Sequence, residues 1–395
     1  MSDSIHIGLV LQGGAAWAGG LEYIRNLQLA IAASGDPAAK VTLLSGRPLD
    51  ESTRARFADA GEIVITARHG GWPERWLKLT RRALAHTLEQ RGMDFVFPLT
   101  YDNEWTLGLT LPFGARIGRA SWAGWIPDFQ HRRLPHLFDE AERARRDRGI
   151  ALLGRDARTI VFSSEAVAND FLAFCPDATA RPATLHFCTA PDAAWFAAEP
   201  VEAQRRYHLP DRFFLVSNQF WQHKNHRTLF AALAQLASRG VRPHVVCTGQ
   251  TFDYRDLSYF NNLLAELHQG GIAGQVSILG LIPRADQLQL MRRAVAVVQP
   301  SLCEGWSTVV EDARLLGKLV LASDILVHRE QNPPGVRFFP AESADVLAGH
   351  LATTWQELAP GPDLQAEASA RALARERLAE FGRRFLEIAR AERQA

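Results

Sequence analysis

In residues 300–317, PSLCEGWSTVVEDARLLG, an acid on a glycine loop is followed eight positions later by a second acid just inside an expected helix. The apolar run 295–298 reads as a buried strand, 300–306 as a loop, and 307–316 as a helix closed by Gly317. Glu304 and the stretch Gly305, Trp306, Ser307 and Thr308 therefore fall beyond the carboxyl end of a strand, where open α/β sheets take ligands. First-turn amides without helical partners and the helix dipole both favour a phosphate or carboxylate there. A carboxylate has two acceptor oxygens and no donor, which suits a pair of vicinal hydroxyls. The chemistry fits a ligand that is both phosphorylated and polyhydroxylated. Glu311, three residues after Thr308, fits a capping box and reads as a helix cap.

A second loop supplies a cation. Residues 213–217 read as a strand, 218–224 as a loop and 225–238 as a helix capped by Asn225 and ended by Gly240. Lys224 thereby stands at a helix start, where ammonium and free amides together suit a diphosphate. On its own it would read as a solvated lysine; beside the acidic loop it reads as part of a site. Near the amino terminus, Gly13, Gly14, Gly19 and Gly20 separate a strand at 5–12 from a helix at 21–33. They permit close backbone approach to a ligand, but the spacing is not GxGxxG, and a tight strand-to-helix turn explains them equally well. The segment SWAGWIPDFQHRRLPHLF begins at another strand end and carries Trp125, Asp128, Gln130 and His131. Asp128 reads either as a turn former after Pro127 or as the partner of His131, and His131 either as a surface residue or as a site residue. LGLIP at 279–283 and SDILVHREQ at 323–331 follow further strands; His328 and Arg329 face a site or cap a helix.

Taken together, these segments resemble the retaining glycosyltransferases of the GT-B fold, family 4 (glycosyl transferases group 1), in a branch that carries the WIPDFQH form. Glu304 matches the first acid of the family's Glu-x7-Glu motif, which contacts the donor sugar. Asp312 stands in place of the second, which contacts the nucleotide ribose, with Glu311 as its substitute. Lys224 matches the phosphate-binding lysine, whereas Gln219 occupies the position of the accompanying arginine; Arg227, His223 and Arg329 are the candidates to restore that charge. The resemblance implies that Gly19 and Gly20 border the donor phosphates and acceptor, and that Ile282, with Pro283, flanks the base. Pro127 stands where many members carry the histidine of a His-Asp pair, and His131, one turn on, is the substitute, with Asp128 orienting it.

What the resemblance implies is an α/β, GT-B architecture: two Rossmann-like domains facing a cleft, with a C-terminal crossover helix. It also implies a nucleotide-diphosphate sugar donor, UDP- or GDP-linked, and a glycan or lipid-linked acceptor. Lys224 and helix dipoles would replace a metal, so no metal and no further cofactor are expected. Two other functions remain open: a nucleotide-sugar epimerase using His131 and Asp128, and a non-catalytic sugar-nucleotide-binding protein.

The elements that must position these residues are legible as β-branched runs alternating with amphipathic segments, the pattern of parallel sheets with crossover helices. Strands are expected at 5–12, 41–44, 62–65, 95–98, 115–118 or 122–126, 159–163 and 184–187. In the second half they are expected at 213–217, 244–248, 276–279, 295–299, 319–322 and 336–339. Prolines 191, 200 and 210 mark a division, giving domains over 1–195 and 196–363 and a helical tail over 364–395. In the tail, Leu373, Leu378, Phe381, Phe385 and Ile388 recur at roughly helical spacing, and mixed Arg and Glu argue for a solvated outer face rather than one docked on lipid.

The 395 residues suffice for two domains, and 47% hydrophobic with 22% charged residues is ordinary for a globular chain. A net charge of +1 argues against a nucleic-acid partner held by bulk electrostatics. Four cysteines without CxxC spacing argue against a structural zinc or a disulfide framework. No apolar run approaches the ~20 residues that span a bilayer, so a cytoplasmic protein, at most peripheral to a membrane, is expected.

Overall fold

In a computed structural model of the chain, the structure describes residues 4–13, 18–46, 48–58, 61–65, 77–100, 114 and 116–394. Expected features on Gly14 and Ala115 lie outside the described residues. The chain divides into two compact units, one of residues 1–131, 139–190 and 375–395, the other of residues 132–138 and 191–374.

The first unit holds β1 (Ile5–Val10), β2 (Ala39–Ser45), β3 (Ile63–Ile65), β4 (Phe95–Leu99), β5 (Ser121–Trp125), β6 (Thr159–Phe162) and β7 (Arg181–Thr184). Among the described residues they form one sheet in the order β3-β2-β1-β4-β5-β6-β7, with parallel pairing throughout. β1 and β4 are buried along their whole length, as strands covered on both faces must be. The expected strand at 184–187 instead ends at Thr184. Residues 181–184 pair with β6, and Leu185 continues only with an amide bond to Phe162 O. The alternative at 122–126 is the strand β5; the described residues 116–118 belong to no strand, and Ile117 makes only an isolated bridge with Ala120.

The second unit holds β8 (Phe214–Ser217), β9 (Val245–Thr248), β10 (Val276–Gly280), β11 (Val297–Gln299), β12 (Val320–Ser323) and β13 (Arg337–Phe339). Its sheet runs β10-β9-β8-β11-β12-β13, again parallel. Two apolar clusters cover it, one including Phe214, Leu229, Leu233 and Leu351, the other Leu215, Met291, Val310 and Leu316. The order reverses between β8 and β11, and the loops after these two strands carry Lys224 and Glu304. This is the topological switch point, where a parallel sheet opens a crevice at its carboxyl edge.

The tail is a helix, Leu364–Gln394. Its residues up to Ala374 belong to the second unit and those from Arg375 to the first. In the first unit Phe385 packs on Phe95 and Phe97, and Phe381 lies near Tyr23, which stacks on Trp125. Gly382 meets the helix Ala18–Ala33 so closely that an added Cβ would lie 1.9 Å from Ala30 O, which makes glycine obligatory there. Leu373, expected on the apolar face, is exposed, because the helix there faces solvent on that side. Among the described residues no helix is long and apolar enough to cross a membrane.

Candidate functional site

The loops after β8 and β11 meet through their backbones. The Leu302 amide donates to His223 O (2.7 Å), and Asn225 Nδ2 donates to Pro300 O (3.0 Å) and Ala341 O (2.8 Å). Asn225 adopts the left-handed conformation (φ 58°), which frees its side chain for these bonds. It therefore occupies the expected cap position of the helix His226–Ser238 without capping a backbone amide: its Oδ1 accepts from the Thr228 hydroxyl (3.0 Å) while its Nδ2 is committed across the loop. Lys224 ends a single 3-10 turn, Gln222–Lys224.

Held this way, Lys224 Nζ donates to Glu304 Oε1 at 2.6 Å, and both side chains are largely shielded from solvent. The same oxygen accepts from Gln299 Nε2 at 2.9 Å. The two expected site residues are thus brought together, with Glu304 Oε2 left out of the described hydrogen bonds. Gly249, at the end of β9, has φ 131° and lies so near the backbone of Asn218 that a Cβ would fall 2.2 Å from Asn218 O. That close approach presses the Asn218–Gln219 backbone against β9 and admits no other residue.

The helix Thr308–Leu315 starts as expected but caps differently. Ser307 is its cap, its hydroxyl accepting from the Val310 amide, so the Thr308–Glu311 capping box does not form. Glu311 is buried, 1% exposed, and accepts from Gln331 Nε2 (3.2 Å), with Arg314 3.4 Å away. Gln331 also clasps both backbone groups of Ser307, accepting from its amide and donating to its carbonyl. None of the described hydrogen bonds uses the amides of Thr308 and Val309. These two donors remain for an anion. Gly305 and Trp306 are buried beside them.

Asp312 is fully buried, and its two oxygens accept from Arg284 at 2.6 and 2.7 Å. The carboxylate read as a ribose contact is therefore gripped bidentately by the first residue of the helix Arg284–Arg293. Ile282 is half-buried with its side chain packed on the second apolar cluster, while Leu281 beside it is exposed. The replacements for the missing arginine at Gln219 do not gather there. Arg227 pairs with Glu266 and Arg329 with Asp324, and His223 is buried with its pKa held well below the usual imidazole range by desolvation and then by Lys224 and Arg255. Besides Lys224, Arg255 reaches this turn, its Nη2 approaching His223 Nδ1 at 3.3 Å while its guanidinium is paired with the buried Asp253. His328 neither caps its helix nor reaches the surface. It is fully buried, and since a carbonyl only accepts, Nδ1 carries the hydrogen it gives to Ser323 O (2.9 Å).

In the first unit Gly19 and Gly20 fall inside the helix Ala18–Ala33 and not in a loop. The first helical turn lacks internal amide partners in any case, so glycines there cost the helix little. Gly13 (φ 83°) makes the turn after the strand. Asp128 accepts from the Gln130 amide and from Gln130 Nε2, forming the turn that leads into the short helix Gln130–Arg133. His131 is not a surface residue: it is 1% exposed, with Nε2 3.0 Å from Asp147 Oδ1. Burial lowers its pKa, and Asp147 partly offsets that. Asp128 does not orient it through any described bond.

Asn218, Gln299, Arg284, Arg255 and Gln331 belong to this constellation and escaped the sequence reading. For Gln299 a signal existed, since it is an amide at the end of an otherwise apolar strand, VAVVQ. Asn218, Arg284 and Gln331 pair with residues 20 or more positions away, and Arg255, although its ion pair with Asp253 is local, reaches His223 across 32 positions, which no local pattern reveals. Among the described residues no group of three or more His, Cys, Asp or Glu is arranged to hold a metal ion.

The profile of the family described as Glycosyl transferases group 1 matches residues 201–357. Among solved structures, Anabaena Alr3699/HepE in complex with UDP-glucose aligns at 16% identity and a TM-score of 0.67, over 98% of this chain and 99% of that one. A glycosyltransferase from Rickettsia africae aligns at 14% identity and 0.69, over 98% of each chain. Sucrose-phosphate synthase from Thermosynechococcus elongatus aligns at 17% and 0.65, over 99% and 98%. No curated protein sequence matches the chain. Lys224, Glu304 and Asp312 all lie inside the matched segment, and the chain, with its two parallel sheets and closing helix, has the GT-B fold, its second unit carrying the group 1 glycosyl transferase signature.

Proposed function

We propose that the protein transfers a glycosyl unit from a nucleotide-diphosphate sugar to a hydroxyl acceptor, with retention at the anomeric carbon and without a metal. The observation that carries this is the Lys224–Glu304 pair beside the two uncommitted amides of Thr308 and Val309. Cation and amides suit the diphosphate; the carboxylate suits sugar hydroxyls. UDP-glucose bound to HepE supports the donor class.

In this reading the bond from the anomeric carbon to the diphosphate oxygen breaks, and the electron pair leaves with the phosphate. Lys224 and the helix start stabilise that charge as it develops. Glu304 accepts from ring hydroxyls through Oε2 and fixes the ring, so the acceptor oxygen bonds to the same face. The acceptor's proton passes to the departing phosphate. Following the resemblance, the acceptor is a glycan or lipid-linked hydroxyl, and the reaction runs in the cytoplasm or at the inner face of a membrane. An epimerase would need His131 and Asp128 as acid and base, but these are engaged by Asp147 and Gln130.

Incubation with UDP-, GDP- and dTDP-linked sugars, with and without glycan acceptors, tests the proposal. Nucleotide release coupled to a new glycosidic product is expected. A changed sugar still attached to its nucleotide, or binding without release, would overturn it.

A further inference from the structure

Gln299 is fully buried at the last position of β11, and every hydrogen-bonding atom of its carboxamide is used. Its Oε1 accepts from Asn218 Nδ2 at 2.9 Å, and its two Nε2 hydrogens go to Glu304 Oε1 (2.9 Å) and Ser301 Oγ (3.1 Å). Ser301 is itself tied down, since its carbonyl accepts from Ser323 Oγ at the end of β12. The orientation of the amide is therefore determined. Turned over, it would set its oxygen against the Glu304 carboxylate and its NH2 against that of Asn218, two repulsive contacts.

Two donors thus converge on one oxygen of Glu304, and they differ in kind. Lys224 ends a flexible four-carbon stem and presents a rotatable point charge that can follow the carboxylate as it turns. Gln299 has no such freedom, being packed at a strand end and held by Asn218 and Ser301. We infer that Gln299 is a positioning residue: held by Asn218, it fixes the plane of the Glu304 carboxylate, so that Oε2 meets only sugar hydroxyls of one stereochemistry. This rests on the reading of the site as a nucleotide-sugar site and deepens it, because Gln299 touches no substrate and acts through Glu304. Without it, Glu304 keeps its charge and its lysine but swivels, and selectivity among epimeric sugars falls while the grip on the nucleotide does not change.

The test uses the full chain with Gln299→Met, which preserves length and burial but removes all three bonds, and Asn218→Ala, which leaves Gln299 in place and loosens it. Calorimetry would compare UDP-glucose with UDP-galactose, and GDP-mannose with GDP-glucose, alongside UDP and GDP alone. Wild type is expected to separate one of these epimeric pairs by about tenfold or more, the size of one hydrogen bond to a charged group. Gln299→Met should narrow that to within about threefold and Asn218→Ala to an intermediate ratio, with affinity for the free nucleotide unchanged. If Gln299→Met does not fold, the Asn218→Ala ratio decides. A wild-type ratio retained in the variants, a parallel loss of affinity for free nucleotide, or a wild type that binds both epimers of each pair equally would overturn the inference alone. A wild type that binds no nucleotide sugar would overturn the reading of the site and this inference with it.

Discussion

Lys224 and Glu304, 80 residues apart in sequence, are joined by a 2.6 Å bond between ammonium and carboxylate. Two ties dock one loop on the other beside this pair, the Leu302 amide donating to His223 O and the Asn225 side-chain amide donating to Pro300 O. A cation and an acid preorganised in this way need little rearrangement when a ligand arrives, which is what transition-state stabilisation by fixed charges requires.

If the pair acts as a unit, Glu304→Gln and Lys224→Ala should each lower turnover by at least about tenfold, and the double variant should fall well short of the product of the two losses. Steady-state nucleotide release checks this, with circular dichroism showing that each variant is folded. Wild-type rates in both single variants would remove the site assignment.

Asp312 tests a different division of labour. Because both its oxygens are held by Arg284 and the residue is fully buried, Asp312→Ala leaves a guanidinium without its counter-ion and should cost about 2–4 kcal/mol of stability. Replacing the pair together, Asp312→Leu with Arg284→Met, should recover most of that loss. Urea unfolding measures both. A ribose role shows itself separately, as weaker nucleotide binding by Asp312→Ala in calorimetry under conditions where circular dichroism shows the variant folded.

Acid sensitivity should have one identifiable source in His226. Its ring is fully buried, stacks on Phe220 at 4.3 Å, and among the described residues has no partner for either nitrogen; burial, then Lys224, pushes its pKa down to about 3. The unfolded chain takes up a proton near pH 6.5 that the folded one refuses until about 3, so stability is lost as pH falls through that window. His226→Phe keeps the stacking and removes the titration. Its stability relative to wild type should rise steadily between pH 6.5 and 4.5; a constant difference would show that His226 protonates while folded.

Lys318 predicts the opposite end of the scale. Its buried ammonium donates to Arg292 O and Gly361 O, and desolvation lowers its pKa to about 8, with Glu367 opposing. Between that value and the ordinary 10.5 the unfolded chain binds more protons than the folded one, so this residue adds stability as pH rises. Compared with Lys318→Met, wild type should gain up to about 1.4 kcal/mol per pH unit from pH 8 to 10. A flat difference would mean that the lysine stays charged in the fold.

Much of the architecture was legible because parallel strands buried on both faces must be apolar and β-branched along their length. Phe95, Val96, Leu215 and Val298 announced themselves in this way. The 181–184 strand did not: Arg181 and Pro182 are exposed on it, and only pairing to β6 makes it a strand. Gly19 and Gly20 misled for a related reason, since glycine reads as a loop wherever it stands, yet the first turn of a helix tolerates it.

Local sequence by itself determined most of the buried strands, and that Lys224, Glu304 and the 308–315 helix start lie at strand ends. Each depends on periodicity or on residues a few positions apart. Only the tertiary structure decided which of those groups are engaged. It joined Lys224 to Glu304, gave Asp312 to Arg284 and Glu311 to Gln331, drew His131 under cover to Asp147, and set Gln299 beneath the acid. A carboxylate or imidazole has the same chemistry wherever it occurs in the chain. What it does depends on the nearest donor in space, and chain packing fixes that over separations no local pattern spans.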